Sequence, residues 1–200
     1  RSAADPSHVI DWSAEYASLH EQYLSVVSGS GGDVNTLVMF LMHHPHHVES
    51  MLQLAMVFAH TGQMDRASEM IQRCLYNLEA AHGDGVRWSG NCRLSSSLPQ
   101  NRCYFTALFR HMQIASMMGC PVVAANLSKC LLLLEPTRDP YHMLLFLDVY
   151  LTTSKQYSQV LNVCESNVSA YLDLPLPIDE FLPNWSYSRC IAEKIGRAHV

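Results

Sequence analysis

Apolar residues recur at helical spacing through almost the whole chain. Trp12, Tyr16, Leu19, Tyr23 and Val26 follow a 4-3-4-3 spacing, which predicts an amphipathic helix that stops at the loop Ser28-Gly-Ser-Gly-Gly32. Asp33 is placed to cap a short apolar helix running through Met42. Pro45, inside His43-His-Pro-His-His47, cannot continue that helix. Beyond it, Met51, Leu54, Ala55 and Phe58 line one helix up to Thr61-Gly62, and Ala67, Met70, Ile71, Cys74, Leu75 and Leu78 line the next.

These two stripes have the register of a 34-residue tetratricopeptide-like (TPR-like) unit. With Gly62 at position 15, Ala55 takes position 8, Ala67 position 20 and Cys74 position 27, the slots where small residues let two helices approach. The register returns with Gly119 at position 15, which puts Ala124 at 20 and Pro136 at 32, with Met112 at the small position. Pro121 suits the first turn of the second helix of that unit. A third pair, Tyr141–Thr153 and Tyr157–Tyr171, follows the start signal Asp139-Pro140. Tyr171–Pro183 reads as an extended connector into a last short helix. The predicted class is all-α, an α-α superhelix of TPR-like helical hairpins, with Gly62 and Gly119 outside helices.

The expected organisation is an N-terminal amphipathic helix and Gly/Ser linker over 1–32, then a helical domain over 33–194. That domain carries an insertion at about 82–104, because the Gly-, Ser- and Asn-rich stretch Gly83–Pro99 breaks the repeat period. Insertions in such arrays gather on one face, often the binding face. The ending Ile195–Val200 fits no pattern and reads as a non-native tail, and the missing start Met reads as an internal fragment.

Composition adds two constraints. At 48% hydrophobic and 16% charged, the 200-residue chain is not intrinsically disordered. No apolar run approaches the roughly 18 residues of a membrane span. The seven cysteines lie at least ten residues apart with no C-x-x-C, which points to reduced, packed thiols and to cytosol or nucleus. The sequons at Asn126, Asn167 and Asn184 carry no meaning in that setting.

Charge is unevenly distributed. The net charge is −5, yet Gly85–Leu134 contains no Asp or Glu and carries Arg87, Arg93, Arg102, Arg110 and Lys129. A basic middle between acidic flanks can face phosphates or an acidic partner. Arg87, Arg93, Arg102 and Arg110 are therefore the candidate binding surface; the bland reading makes them helix caps and surface pairs.

No catalytic or cofactor signature accompanies them. The four imidazoles of His43–His47 are split by Pro45, and no spaced Cys or carboxylate completes a metal set. The Gly-rich loop lacks the Lys-Ser/Thr of a phosphate loop, and G-x-S-x-G is absent. The expectation is a non-enzyme with no cofactor, no metal and no small-molecule substrate. A clamp for a C-terminal carboxylate is not expected either, since Met51–Thr61 holds no Lys or Arg.

Several blocks resemble the transcription factor 25 family, whose fungal members are called ribosome quality control complex subunit one. They are His44-Pro-His-His-Val-Glu-Ser-Met-Leu-Gln-Leu54, Gly90-Asn-Cys-Arg-Leu94 and Asn101-Arg-Cys-Tyr-Phe-Thr-Ala-Leu-Phe-Arg-His-Met112. They continue through Gly119-Cys120, Lys129 to Pro136, Asp139-Pro140, Leu144-Leu145 with Asp148, and Leu182-Pro-Asn-Trp-Ser-Tyr-Ser188. The segment Pro121–Asn126 departs from the family pattern. The resemblance implies a non-enzymatic adaptor of the ribosome-associated quality control complex, acting on stalled large ribosomal subunits. It further implies a RING-type ubiquitin ligase and an AAA unfoldase as partners; rRNA phosphates are a contact expected from the basic stretch. The older family name implies instead a nuclear transcriptional repressor, so the expected location is cytoplasmic and/or nuclear.

Overall fold

The structure is a computed structural model that describes residues 9–31, 33–81, 92–166 and 168–196. Every extended element among them is helical: α1 (Ala14–Ser30), α2 (Val34–His43), α3 (Val48–His60), α4 (Met64–Ala80), α5 (Pro99–Met117) and α6 (Pro121–Leu134). A single 3-10 turn, Met143–Leu145, precedes α7 (Leu147–Thr153), α8 (Tyr157–Glu165), α9 (Val168–Tyr171), α10 (Ile178–Phe181) and α11 (Pro183–Gly196). The all-α expectation holds. None of these helices is long and apolar enough to cross a membrane. The chain divides into two compact units, Arg1–Ile114 and Ala115–Val200, a boundary inside α5 and within the span 33–194 expected as one domain.

The first unit is built around the α3–α4 hairpin. Met51, Leu54 and Ala55 of α3 meet Ala67, Ile71 and Cys74 of α4, all buried. Ala55 and Ala67 are small where the register requires small residues. The α1 stripe does not stand apart from this core. Tyr23 packs with Leu37 and Phe40 of α2, joined by Leu19, Val26 and Val27. Asp33 caps α2 as expected, its carboxylate accepting the Thr36 N–H at 3.1 Å. The first helix outlasts its predicted stop at Ser28, because the left-handed residue that ends it is Gly31, at φ +63°.

Both register glycines lie between helices, at φ +78° for Gly62 and +77° for Gly119. The turns are the same object. Gly62 N–H bonds the Ala59 carbonyl at 3.1 Å and Gln63 N–H reaches back to Phe58 at 2.8 Å; Gly119 and Cys120 bond Ser116 and Ala115 at the same two distances. Lys155 builds a third copy at φ +60°, with Gln156 N–H on the Leu151 carbonyl at 2.8 Å. The third hairpin thus repeats the turn without the glycine that marks the other two.

The second unit departs from the sequence reading at three elements, one of them the expected helix Tyr157–Tyr171, which ends at Glu165 and is followed by the separate α9. The helix expected from Tyr141 begins late: His142 is left-handed at φ +54°, and the Asp139 carboxylate accepts the N–H groups of Met143 at 2.7 Å and Leu144 at 3.0 Å. That cap builds a 3-10 turn first, and α7 starts only at Leu147. Tyr171–Pro183, expected to be extended, contains α10, because Leu172 and Ile178 are buried and fold the connector back onto the unit.

Candidate functional site

The structure describes three of the four arginines of the expected surface, each with different partners. Arg87 lies outside the described residues. Arg93 is half-buried and donates to its neighbour's carbonyl, Cys92, at 3.1 Å. Arg102 is exposed on α5 and its Nε donates to the Ser96 carbonyl at 3.2 Å. Arg110, two turns on, donates to Gln113 at 2.7 Å and lies over the Phe109 ring at 6.0 Å. Eight residues place Arg102 and Arg110 about 80° apart around α5 and about 12 Å along it. No carboxylate among the described residues pairs with either.

Arg93 and Arg102 therefore hold backbone of 92–98, the segment entering α5, which spans the end of the expected insertion. Asn101 reinforces this from the buried side of the helix. Its amide donates to the Ser95 carbonyl at 2.9 Å and its oxygen accepts the Ile10 N–H at 2.9 Å. Since α5 starts at Pro99, residues 99–104 of the expected insertion are helical.

A cleft of about 590 Å³ opens between three helices of the first unit. Helix α3 supplies Glu49, Leu52, Gln53, Met56 and His60, the positions it does not spend on α4; Trp12 and His20 come from the start of the unit, and Pro99, Arg102 and Cys103 from α5. Sequence reasoning missed this cleft. The available signal was the second stripe of α3, at 49, 52–53, 56 and 60, which matches the core stripe in period but has no partner on α4.

Beneath one edge lies a half-buried polar cluster. The Tyr16 hydroxyl donates to Glu49 Oε2 at 2.8 Å and accepts the Val48 N–H at 3.1 Å; the Tyr23 hydroxyl donates to Gln53 at 2.6 Å. Burial first, and then the Glu49 charge, push the Tyr16 phenol above its ordinary range. His47 is fully buried, with its ring centroid 4.6 Å from that of Tyr23 and 5.5 Å from that of Tyr16. Burial lowers its pKa to about 4, with His20 and His44 adding to the effect.

His20, His47 and Glu49 bring their ligand atoms within 4.8 Å of one another, a donor set of the kind metals take. The protons argue against that use. His47 Nδ1 caps α3 by accepting the Ser50 N–H at 3.2 Å, so the neutral ring carries its proton on Nε2. That Nε2 faces Glu49 at 3.5 Å as a donor and has no lone pair for an ion. The remaining histidines of the run are spread out: His43 bonds the Met39 carbonyl at 2.8 Å, His44 packs on Phe40, and His46 is exposed. Cys103, at the cleft wall, is held as a thiol, its pKa pushed up to about 12 chiefly by burial. All seven cysteines are free thiols, four of them buried.

The second unit explains two further blocks. Asp148, almost fully buried, accepts from Asn184 Nδ2 at 2.9 Å and from the Ser188 hydroxyl at 2.7 Å. Trp185 Nε1 donates to the Leu144 carbonyl at 2.8 Å, and Asn184 reaches the same carbonyl at 3.2 Å. Leu144, Asp148 and Leu182–Ser188 thus form one structural node.

Comparison with known proteins agrees with this layout. The family model described as transcriptional repressor TCF25 matches residues 9–198. The mouse ribosome quality control complex subunit TCF25 is 31% identical over 179 residues, covering 89% of this chain and 25% of its own length. The Dictyostelium discoideum protein of the same name is 29% identical over 188 residues, covering 92% and 24% respectively. A probable transcription factor, claV, of Ampulloclitocybe clavipes is 27% identical over 193 residues, or 93% of this chain and 24% of its own. No solved structure matches the chain. The chain spans about a quarter of the length of these relatives. None of these relatives is named as an enzyme. With the family model running over residues 9–198, through the hairpins, the Asn101 node and the Asp148 node alike, the chain belongs to the Tcf25 family.

Proposed function

We propose that this chain is the helical part of a non-enzymatic adaptor in ribosome-associated quality control, working on stalled large ribosomal subunits. In that role it supports ubiquitination of nascent chains by a RING-type ligase and their extraction by an AAA unfoldase. The observation that carries the reading is the match over nine-tenths of the chain to relatives named as subunits of the ribosome quality control complex. The fold supports it: helical hairpins offer faces for protein contacts. An adaptor of this kind works in the cytoplasm, the nucleus or both. The helical domain is taken to span 33–194 with α1 packed onto it.

The contact face is taken to include Arg102 and Arg110, whose guanidiniums have no carboxylate partner among the described residues, and which can meet acidic side chains or rRNA phosphates. The name claV and the family description favour a second reading, a nuclear repressor acting through protein contacts. Sedimentation of the full-length protein separates the two. After translational stalling, the adaptor migrates with large ribosomal subunits, whereas chromatin association with no ribosomal fraction establishes the repressor.

A further inference from the structure

The α1–α3–α5 cleft is not needed to close the core of its unit, and its chemistry is specific. Its floor is apolar, with Leu52 and Met56 of α3 facing Trp12 and the exposed Leu24. Among the described residues Arg102 is the only Lys or Arg that lines it. Glu49, the only carboxylate among those lining residues, spends its Oε2 on the Tyr16 hydroxyl and forms no ion pair with Arg102. Arg102 spends its Nε on the Ser96 carbonyl, so its two Nη groups, with four N–H donors, remain at the edge of the cleft that Arg102 lines, and no carboxylate among the described residues pairs with them.

That combination selects one kind of occupant. A nucleic acid needs a track of several cations and aromatic faces, and here one arginine stands beside aliphatic side chains. A volume of about 590 Å³ suits a short piece of peptide. We infer that the cleft is a docking groove for an extended peptide in which an Asp or Glu neighbours bulky apolar residues, the carboxylate pairing with Arg102 and the apolar side chains lying on Met56 and Trp12. The inference rests on the adaptor reading for its setting and supplies one of the contact faces that reading requires. The sequence pointed away from any such acid-reading site because Met51–Thr61 has no cation; the cation arrives from α5, some forty residues further along.

The test is selection of a randomised 12-residue peptide library on the chain, followed by anisotropy titration of the enriched peptides carrying fluorescein. Enriched peptides carry an Asp or Glu flanked by Leu, Ile, Phe or Trp. Arg102→Glu weakens them at least tenfold, Met56→Asp does the same by destroying the floor, and Arg73→Glu, exposed on α4 and off the cleft, leaves binding unchanged. Selection repeated on Arg102→Glu enriches Lys or Arg in place of the acid. If Arg102→Glu does not fold, judged by its circular dichroism melt, Met56→Asp and the milder loss in Arg102→Lys carry the test. Three results overturn the inference: no enrichment, enrichment without an acid, or binding indifferent to both Arg102 and Met56. Binding of a fluorescein-labelled 12-nucleotide uridine RNA that is lost in Arg102→Glu overturns it in favour of nucleic acid. Co-sedimentation of full-length Arg102→Glu with stalled large subunits is scored separately. A variant that loses peptide but still sediments shows the adaptor reading intact, and a wild type that binds peptide but fails to sediment shows the groove without that role.

Discussion

Asp148→Ala tests whether the node in the second unit holds that unit together. Asp148 is almost fully buried and satisfies two donors, Asn184 Nδ2 at 2.9 Å and the Ser188 hydroxyl at 2.7 Å. Hydrogen bonds to a carboxylate contribute about 1.5–3 kcal/mol each, and truncation strands both donors away from water. Asn184 keeps its second acceptor, the Leu144 carbonyl, which trims its loss. The expected cost is therefore about 3–4 kcal/mol, a large share of the stability of a unit this size. Urea denaturation followed by fluorescence in a Trp12→Phe, Trp88→Phe background reads it, since the remaining Trp185 is fully buried and bonded to Leu144 within the same node. Ser188→Ala removes one donor and should cost about 1–2 kcal/mol. In the double variant the two losses are less than additive, because they share one bond. A change within about 0.5 kcal/mol for Asp148→Ala, or strict additivity, would show that the node is incidental to folding.

Other outcomes follow from the same geometry. Gly62→Ala should destabilise by about 1 kcal/mol, because φ is +78° and a Cβ there meets open space, leaving backbone strain alone; Lys155→Gly at φ +60° should stabilise by a comparable amount, both read by urea midpoints. The His47 pKa, near 4 when folded and 6.5 when unfolded, means that the unfolded chain binds more protons between those values. Stability of the first unit is therefore complete above about pH 6.5 and falls toward pH 4, by a total of about 3 kcal/mol; in His47→Asn, which keeps a cap acceptor, the slope over this window should be shallower. Arg110→Ala should leave stability within about 0.5 kcal/mol, since its partner Gln113 lies on the same helix surface. An early melt for that variant would make Arg110 a structural residue.

Much of the fold was legible because its signals are local. Amphipathic stripes, the Asp33 cap and the glycine turns each depend on residues within one or two helical turns. The third hairpin shows the limit: Lys155 adopts the same left-handed turn as Gly62 and Gly119, but nothing in a lysine announces positive φ. The delayed start of α7 was hidden for a related reason, since Asp139 reads as a helix cap in sequence and its carboxylate does cap, but over a 3-10 turn. The site was less legible. Acid-free composition located the arginines but could not tell which would bond backbone, because Ser96 and Cys92 offer carbonyls whatever their side chains. The cleft needed three helices whose stripes lie far apart in the chain, and no window of the sequence contains them together.

The block beginning Asn101-Arg102 shows how one stretch of helix serves two ends. Adjacent residues on a helix point about 100° apart, so Asn101 faces inward to Ser95 and Ile10 while Arg102 faces outward to Ser96 and the cleft. Together they grip the entering segment from both sides, and Asn101 also fastens the start of the chain through Ile10. The guanidinium is suited to the outer task because one of its five N–H groups can hold a carbonyl while the others stay available. A lysine would have to divide three donors on a flexible stem between the same duties. Arg102→Lys should therefore loosen the 92–98 segment, seen as faster amide exchange there, while keeping a positive charge at the cleft. Asn101→Ala, which leaves Arg102 in place but strands the Ile10 N–H, should instead lower global stability by about 2 kcal/mol. If both variants exchange and melt like the wild type, the arginine's bond to Ser96 is dispensable, and its position over the cleft must be fixed by the α5 backbone alone.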